Sequence, residues 1–253
     1  MERAGGQAPG EGQTLSPLPV LAAAPAEPLA GLASQPVLVL LAVAAFGLVP
    51  FLVLLMTSFV KIAVVLAVLK SALGSAQIPP SQIVTGIALV LTIFVMAPTA
   101  ERMFRAVEPD LGRGAGAALL SAHGIEAVVR AADHAKEPLR DFLLRHAATR
   151  DRSVFHGLAL RMRTAAERAS VSDRDFRVLI PAFLTSELRR AFVIGLLIFL
   201  PFLIVDLVIA NVLAALGMHA LSPTAVSLPF KLLLFVVADG WQLLLRGLVS
   251  GYV

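Results

Sequence analysis

The stretch "AVSLPFKLLLFVVADGWQLLLRGLV", Ala225 to Val249, decides how the whole chain is read. It is long and apolar enough for a membrane span, yet Lys231, Asp239 and Arg246 lie inside it. A charge at the centre of a membrane helix costs about 2.5–3.5 kcal/mol on the insertion scale, whereas each Leu, Val or Phe returns about 0.3–0.6. Three charges therefore cost roughly 8–10 kcal/mol against roughly 5 returned by the apolar side chains. Snorkelling of Lys231 and Arg246 from the two ends narrows the gap. As a lone lipid-facing helix the segment is marginal. Its charges cannot pair along one helix: Lys231 and Asp239 are two turns apart and about 80° round the axis, and Asp239 and Arg246 are about 10 Å apart along it. Their partners come from other helices of the same bundle or from other chains. Ionisable groups inside a membrane are functional candidates by default.

Composition agrees with a membrane protein. The chain of 253 residues is 58% hydrophobic and 15% charged, with a mean hydropathy of +0.85. A soluble domain is about 45–50% apolar and about 25% charged. There is no cysteine, which excludes disulfides and thiolate metal sites. Residues 99–190 carry sixteen basic and twelve acidic side chains, so the whole net charge of +4 resides there.

The pattern predicts an all-α membrane protein in four parts. Residues 1–34 are rich in Ala, Gly and Pro and predict a tail without regular structure. Its apolar stretch, Leu18 to Ala24, is short and Arg3 is its only base, so a cleaved signal segment is the second reading there. Residues 35–98 form the first hydrophobic hairpin. The run from Pro36 to Leu69 is too long for one straight span of a hydrocarbon core of about 30 Å, and Pro50 or Thr57–Ser58 is expected to break it. A shorter arm, Ile83 to Ala97, is expected to close at Pro98.

Residues 99–180 predict a charged, water-exposed helical domain. Pro138 is expected in a first helical turn, with Leu139, Phe142, Leu143 and His146 on one face. "SDRD", Ser172 to Asp175, resembles a capping box. The stretch "RMRTAAER" lacks interleaved aromatics and reads as a solvated helix face, not a nucleic-acid surface. Residues 181–253 form the second hairpin. Pro201, Asp206 and Asn211 interrupt its first arm, and the turn "MHALSPTAVSLP" holds Pro223 and Pro229. Lys61, Asp206, Asn211 and Asp239 are the polar groups expected to be buried in the apolar runs.

The motifs "TSFVKIAVVLAVLKSALGSAQIPPSQIVTGIALVLTIFVMAP", "IPAFLTSELRRAFVIGLLIFLPFLIVDLVIANVLAALGM" and "LSPTAVSLPFKLLLFVVADGWQLL" resemble the FliP/SctR family, export-gate subunits of flagellar and injectisome type III secretion. The resemblance runs from about residue 50 to the C-terminus and includes "EPLRDFLLRHAATRD". It implies a pore-forming subunit that assembles as a pentamer into a conical helical gate. It implies FliQ/SctS-like and FliR/SctT-like partners, larger export-apparatus membrane proteins, and unfolded secretion substrates passing through the centre. It also implies residence in the bacterial inner membrane, with the charged middle part on the periplasmic side. The acid of the "SEL" motif and the base of the "LPFK" motif pair between subunits in that family; here these are Glu187 and Lys231.

The resemblance further implies a methionine-rich loop that seals the channel. Methionine suits a deformable seal because its side chain is unbranched, flexible and apolar. The matching loop here reads "LGMHALSP", and it departs from the family in keeping only Met218, followed by His219 and Ala220. Histidine at a constriction would add polarity and charge near neutral pH; the other reading has His219 filling a turn away from the axis.

Other chemistry is thin. His123, His134, His146 and His156 are scattered, and no Walker loop, GxSxG, GxGxxG or paired-carboxylate motif stands out. The expectation is a non-enzymatic protein without cofactor or metal. A rival reading takes Pro201–Asp206–Asn211 as a broken helix around an ion in an autonomous carrier or channel. A plain scaffold is a third reading. It differs from a pore in whether the Met218 loop is buried.

Overall fold

The computed structural model describes residues 36–74, 79–114 and 122–252. The predicted N-terminal tail, residues 1–34, and its processing site lie outside the described residues. The chain divides into two compact units, Met1–Gly47 and Leu48–Val253. In the first unit the described residues, 36–47, are helical.

Among the described residues the secondary structure is entirely helical, as expected. The elements are α1 (Pro36–Leu55), α2 (Phe59–Leu73), α3 (Ser81–Gly114), α4 (Ala122–His146), α5 (Thr149–Arg161), a single 3-10 turn (Arg168–Ser170), α6 (Phe176–Ala215), α7 (Pro223–Val237) and α8 (Gly240–Ser250). Two helices, within α3 and α6, are long and apolar enough to cross a membrane; two bent pairs pass the same test as units.

The bends have local causes. Thr57 Oγ1 donates to the Leu54 carbonyl at 2.7 Å and accepts from the Phe59 amide at 3.3 Å. A hydroxyl that bonds to nearby backbone offers the chain an alternative to the helical ladder. The helix ending at Leu55 and the one starting at Phe59 are bent by 77°. The expected break in the first run therefore falls at Thr57–Ser58, and Pro50 lies inside α1. The last run, read as one span, is two helices bent by 62°. Asp239 sits between them in the left-handed region, at φ +48, a conformation that Asp tolerates better than most residues. Gly240 follows because a Cβ there would lie 2.3 Å from the Phe235 ring.

Contrary to expectation, Pro98, Pro201 and Pro229 do not break helices, and Pro138, expected in a first helical turn, is deep in a helix that starts at Ala122. Pro98 lies inside α3, Pro138 inside α4, Pro201 inside α6 and Pro229 inside α7. A proline removes one ladder bond and kinks a helix, yet each of these helices continues through its proline. In α4 the exposed pairs Arg130–Glu126, Lys136–Asp133 and Arg140–Glu137 flank Pro138, each at a spacing that adds about a few tenths of a kcal/mol to a helix. Pro223 does stand at a helix start, where its missing N–H costs nothing. "SDRD" forms half of its expected box: the Ser172 amide donates to Asp175 Oδ2 at 3.0 Å, but the helix begins at Phe176, with Asp175 at its N-cap.

Helix α6 organises the second unit. Its 40 residues span about 60 Å. Its N-terminal third packs Leu179, Ala182 and Phe183 against Phe142, Leu143 and Ala147 at the end of α4. Further along, Ala191 and Phe202 join Ile62, Val65, Leu66 and Leu69 of α2 in a second core, with Phe235, Leu244 and Leu248 from α7 and α8. At Gly195 a Cβ would lie 3.0 Å from Val68, so glycine sets the spacing of α6 and α2. The outer face of α6 leaves Phe192, Leu196, Leu197, Ile204 and Leu207 exposed. An exposed apolar stripe of this length needs lipid or protein cover. Both α3 and α6 run unbroken across positions 98/99 and 180/181, where the sequence changes from apolar to charged.

Candidate functional site

Two ion pairs are buried among the apolar helices. The first joins Lys61 of α2 to Glu187 of α6 at 3.5 Å, with side chains 2% and 0% exposed. Burial of that kind is tolerated only where further hydrogen bonds satisfy the charges. Arg190 Nη1 donates to Glu187 Oε1 at 2.9 Å, and the Tyr252 hydroxyl donates to Glu187 Oε2. The Lys61 ammonium lies 3.4 Å from the centre of the Tyr252 ring, a favourable cation–π contact. Tyr252 in turn stacks on Phe142, with ring centres 6.1 Å apart, and meets His146 edge-on at 5.0 Å. One tyrosine after α8 thus ties together α2, α4 and α6.

His146 lies outside the membrane helices and is half-buried. Burial, reinforced by the positive charges of Lys61, Arg190 and Arg145, holds its pKa down at about 4. It is neutral at ordinary pH because a proton there would be poorly solvated and repelled.

The second pair joins Lys231 of α7 to Asp206 of α6 at 2.6 Å. The ammonium also donates to the Ala72 carbonyl at 3.0 Å, one of the orphan acceptors at the end of α2. Ser227 donates to the other Asp206 oxygen. Gly74, at φ +78, closes α2 here; a Cβ on it would lie 3.1 Å from Thr224 and 3.4 Å from Lys231 Nζ. Glycine therefore meets both the backbone geometry and the space beside the ammonium.

A third polar cluster docks α5 on α6. Asp151, 4% exposed, accepts from Ser186 at 2.7 Å and from Arg189 at 2.6 Å. Ser186 accepts from the Ala148 amide at 2.9 Å. The Ser186 hydrogen bond, followed by Arg189, holds the Asp151 carboxyl below the usual range. The "SEL" motif thus serves two clusters, Ser186 facing α5 and Glu187 facing α2.

Within one chain the structure brings together Asp206 with Lys231 and Lys61 with Glu187. Glu187 and Lys231 each have another partner. Asp239 and Arg246 are exposed, as is Asn211. The interruption read around Pro201–Asp206–Asn211 is absent, because α6 is continuous there; that removes the broken-helix geometry on which the carrier reading rested. The loop after α6 turns at Gly217, φ +71, and leaves Met218 43% exposed with His219 and Ala220 exposed beside it.

Tyr252 and the Asp151 cluster were not singled out in the sequence. For Tyr252 the available signal was its being the single tyrosine, placed just after an apolar helix. For the hinge in the last run the signal was "DG", a turn dipeptide inside an apolar pattern. Among the described residues no cluster of His, Asp and Glu could hold a metal ion.

Long apolar helices packed side by side, with ion pairs buried between them and apolar faces left outside, define a polytopic α-helical membrane protein. The chain belongs to the FliP family, whose model matches residues 41–248. It is similar to the hypersensitivity response secretion protein HrcR of Ralstonia nicotianae, with 41% identity over 215 residues, 85% of this chain and 96% of the relative. The Yop proteins translocation protein R of Yersinia pestis is 41% identical over 208 residues, covering 81% of this chain and 91% of its own. The flagellar biosynthetic protein FliP of Pectobacterium carotovorum subsp. carotovorum is 44% identical over 204 residues, 80% and 73% of the two chains.

Proposed function

We propose that this chain is a core subunit of a type III protein secretion export gate in the bacterial inner membrane. The observation that carries the reading is the FliP-family match over 41–248, with relatives named for secretion, translocation and flagellar biosynthesis. The subunit forms a pentamer, joins FliQ/SctS-like and FliR/SctT-like partners and larger export-apparatus proteins, and lines a path for unfolded substrates. Its role is structural and conductive, not enzymatic. The charged middle part, residues 99–180, projects to the periplasmic side. The exposed apolar stripe of α6 supports assembly, since it requires cover along most of the helix.

Met218, His219 and Ala220 form the constriction of that path. Their exposure in the turn between α6 and α7 supports the reading. A single methionine per subunit gives a thinner apolar seal than a run of them, and His219 makes it more polar. Glu187 and Lys231 pair between neighbouring subunits, which requires each to exchange the partner it has within the chain.

Native mass spectrometry of the detergent-extracted chain, alone and with its small hydrophobic partners, tests the assembly. A five-fold species that recruits those partners is expected; a stable monomer that ignores them refutes the gate. For the loop, ion conductance of His219→Met and wild type is compared at two pH values. An identical pH response takes histidine out of the constriction.

A further inference from the structure

We infer that α8 is a hinged arm latched by Tyr252 over Glu187, and that it must lift before Glu187 can take a partner from a second copy of the chain. Three observations meet in this assignment. The hinge is Asp239, with its positive φ, followed by Gly240 pressed against Phe235. A bend resting on one left-handed residue can change direction by rotating few dihedrals. The arm is seated along one side only: Leu244 and Leu248 are buried against the α6 core, and a groove of about 420 Å³, lined by Ile198, Pro201, Phe202, Leu243 and Gly247 among others, lies open beside them. An unfilled apolar groove forfeits packing that would otherwise hold the arm down. The latch itself is polar and local. The Tyr252 hydroxyl is on Glu187, its ring is under the Lys61 ammonium, and Gly251 is so close that a Cβ would lie 3.3 Å from Lys61 Nζ.

The pocket beneath the latch has an unmet need of its own. The Ser58 hydroxyl is fully buried and has no hydrogen-bond partner among the described residues, while its carbonyl accepts from the Tyr252 hydroxyl at 3.5 Å. A buried polar group in that state costs stability until water or a new partner reaches it. Lifting the arm admits both. The closed arm thus covers both Glu187 and the Ser58 hydroxyl, and the open arm exposes both. The consequence for a second copy rests on the pairing of Glu187 with a neighbour's Lys231 proposed above, but the latch is a property of one chain.

Native-state amide hydrogen exchange on the full chain in detergent tests it. Tyr252→Phe keeps the ring over Lys61 and removes only the hydroxyl on the carboxylate. Exchange in α8 and in the first turn of α2, residues 58–62, is expected to rise together by about 10-fold or more, with α5 unchanged. No change, or a rise in α8 alone, overturns the latch. In the wild type the two segments are expected to open as one unit, with the same dependence on added denaturant. Separate openings overturn the proposal even where the variant is not recovered folded. If exchange rises as expected, Tyr252→Phe should also form the oligomer faster. A latch that opens without speeding assembly leaves the hinge standing and removes the Glu187–Lys231 pairing.

Discussion

Asp206→Ala isolates the buried Lys231. In the wild type the ammonium, 2% exposed, has Asp206 at 2.6 Å and the Ala72 carbonyl at 3.0 Å. The substitution leaves a buried cation with one neutral acceptor. Removing one partner of a fully buried pair costs about 3–5 kcal/mol. Asp206 is 32% exposed, so water screens part of the pair and can reach the vacated site; the expected cost is about 2–3 kcal/mol. For a domain of this size that corresponds to a fall in Tm of roughly 5–10 °C. Thermal unfolding in detergent can be followed by emission of Trp241, the single tryptophan, packed 5.3 Å from Phe235. The double variant Asp206→Ala/Lys231→Met removes the orphaned charge and is expected to recover most of the loss, because an apolar pair of similar volume often replaces a buried ion pair without penalty. Equal Tm for Asp206→Ala and wild type, or strictly additive effects in the double variant, refutes intrachain pairing as the means by which Lys231 is kept buried.

Three further outcomes follow from the same geometry. The folded state holds the His146 pKa at about 4, below the unfolded value of about 6.5; protons therefore bind the unfolded chain first, and stability falls as pH drops from about 6.5 to about 4. Denaturant midpoints across that window should show the fall, and His146→Phe should flatten it. Asp151→Ala leaves Ser186 and Arg189 without their acceptor and is expected to cost about 1.5–3 kcal/mol, read as faster amide exchange in the first turns of α5. Gly240→Ala places a Cβ against the Phe235 ring and backbone carbonyl. The overlap is expected to cost about 1–3 kcal/mol and to shift Trp241 emission, whereas Gly247→Ala, inside α8 with nothing near its Cβ, should leave the emission unshifted and stabilise by up to about 1 kcal/mol.

The helical class and the two apolar regions were legible in the sequence because burial in lipid or protein writes itself as long runs without charge. The breaks were less legible. Proline was the expected marker at Pro50, Pro98 and Pro201, yet each lies within a helix. Of the two candidates in the first run, Thr57–Ser58 is the break, through a hydroxyl bonding to backbone; the break at Asp239–Gly240, which rests on a positive φ, was not expected. Both are single-residue effects set inside hydrophobic patterns, and the second carried only the dipeptide "DG" as a signal. That Lys231 needs a partner on another helix or another chain followed from helical spacing. Which acid supplies it depends on how α6 and α7 dock, and spacing along the chain does not carry that. Tyr252 was invisible for the same reason: its partners Lys61, Phe142 and Glu187 are far from it in sequence.

Helix α6 has a mechanical consequence. The anchor at Ser186 and Glu187 and the loop beginning at Gly217 sit on one uninterrupted rod, about 45 Å apart. A rod of that length is a lever: a tilt of about 4° at the anchor sweeps its tip through about 3 Å, close to the width of a side chain. A tilt where α5 grips α6 would reach Met218 and His219 magnified only if the packing of α2, α7 and α8 along the rod moved with it.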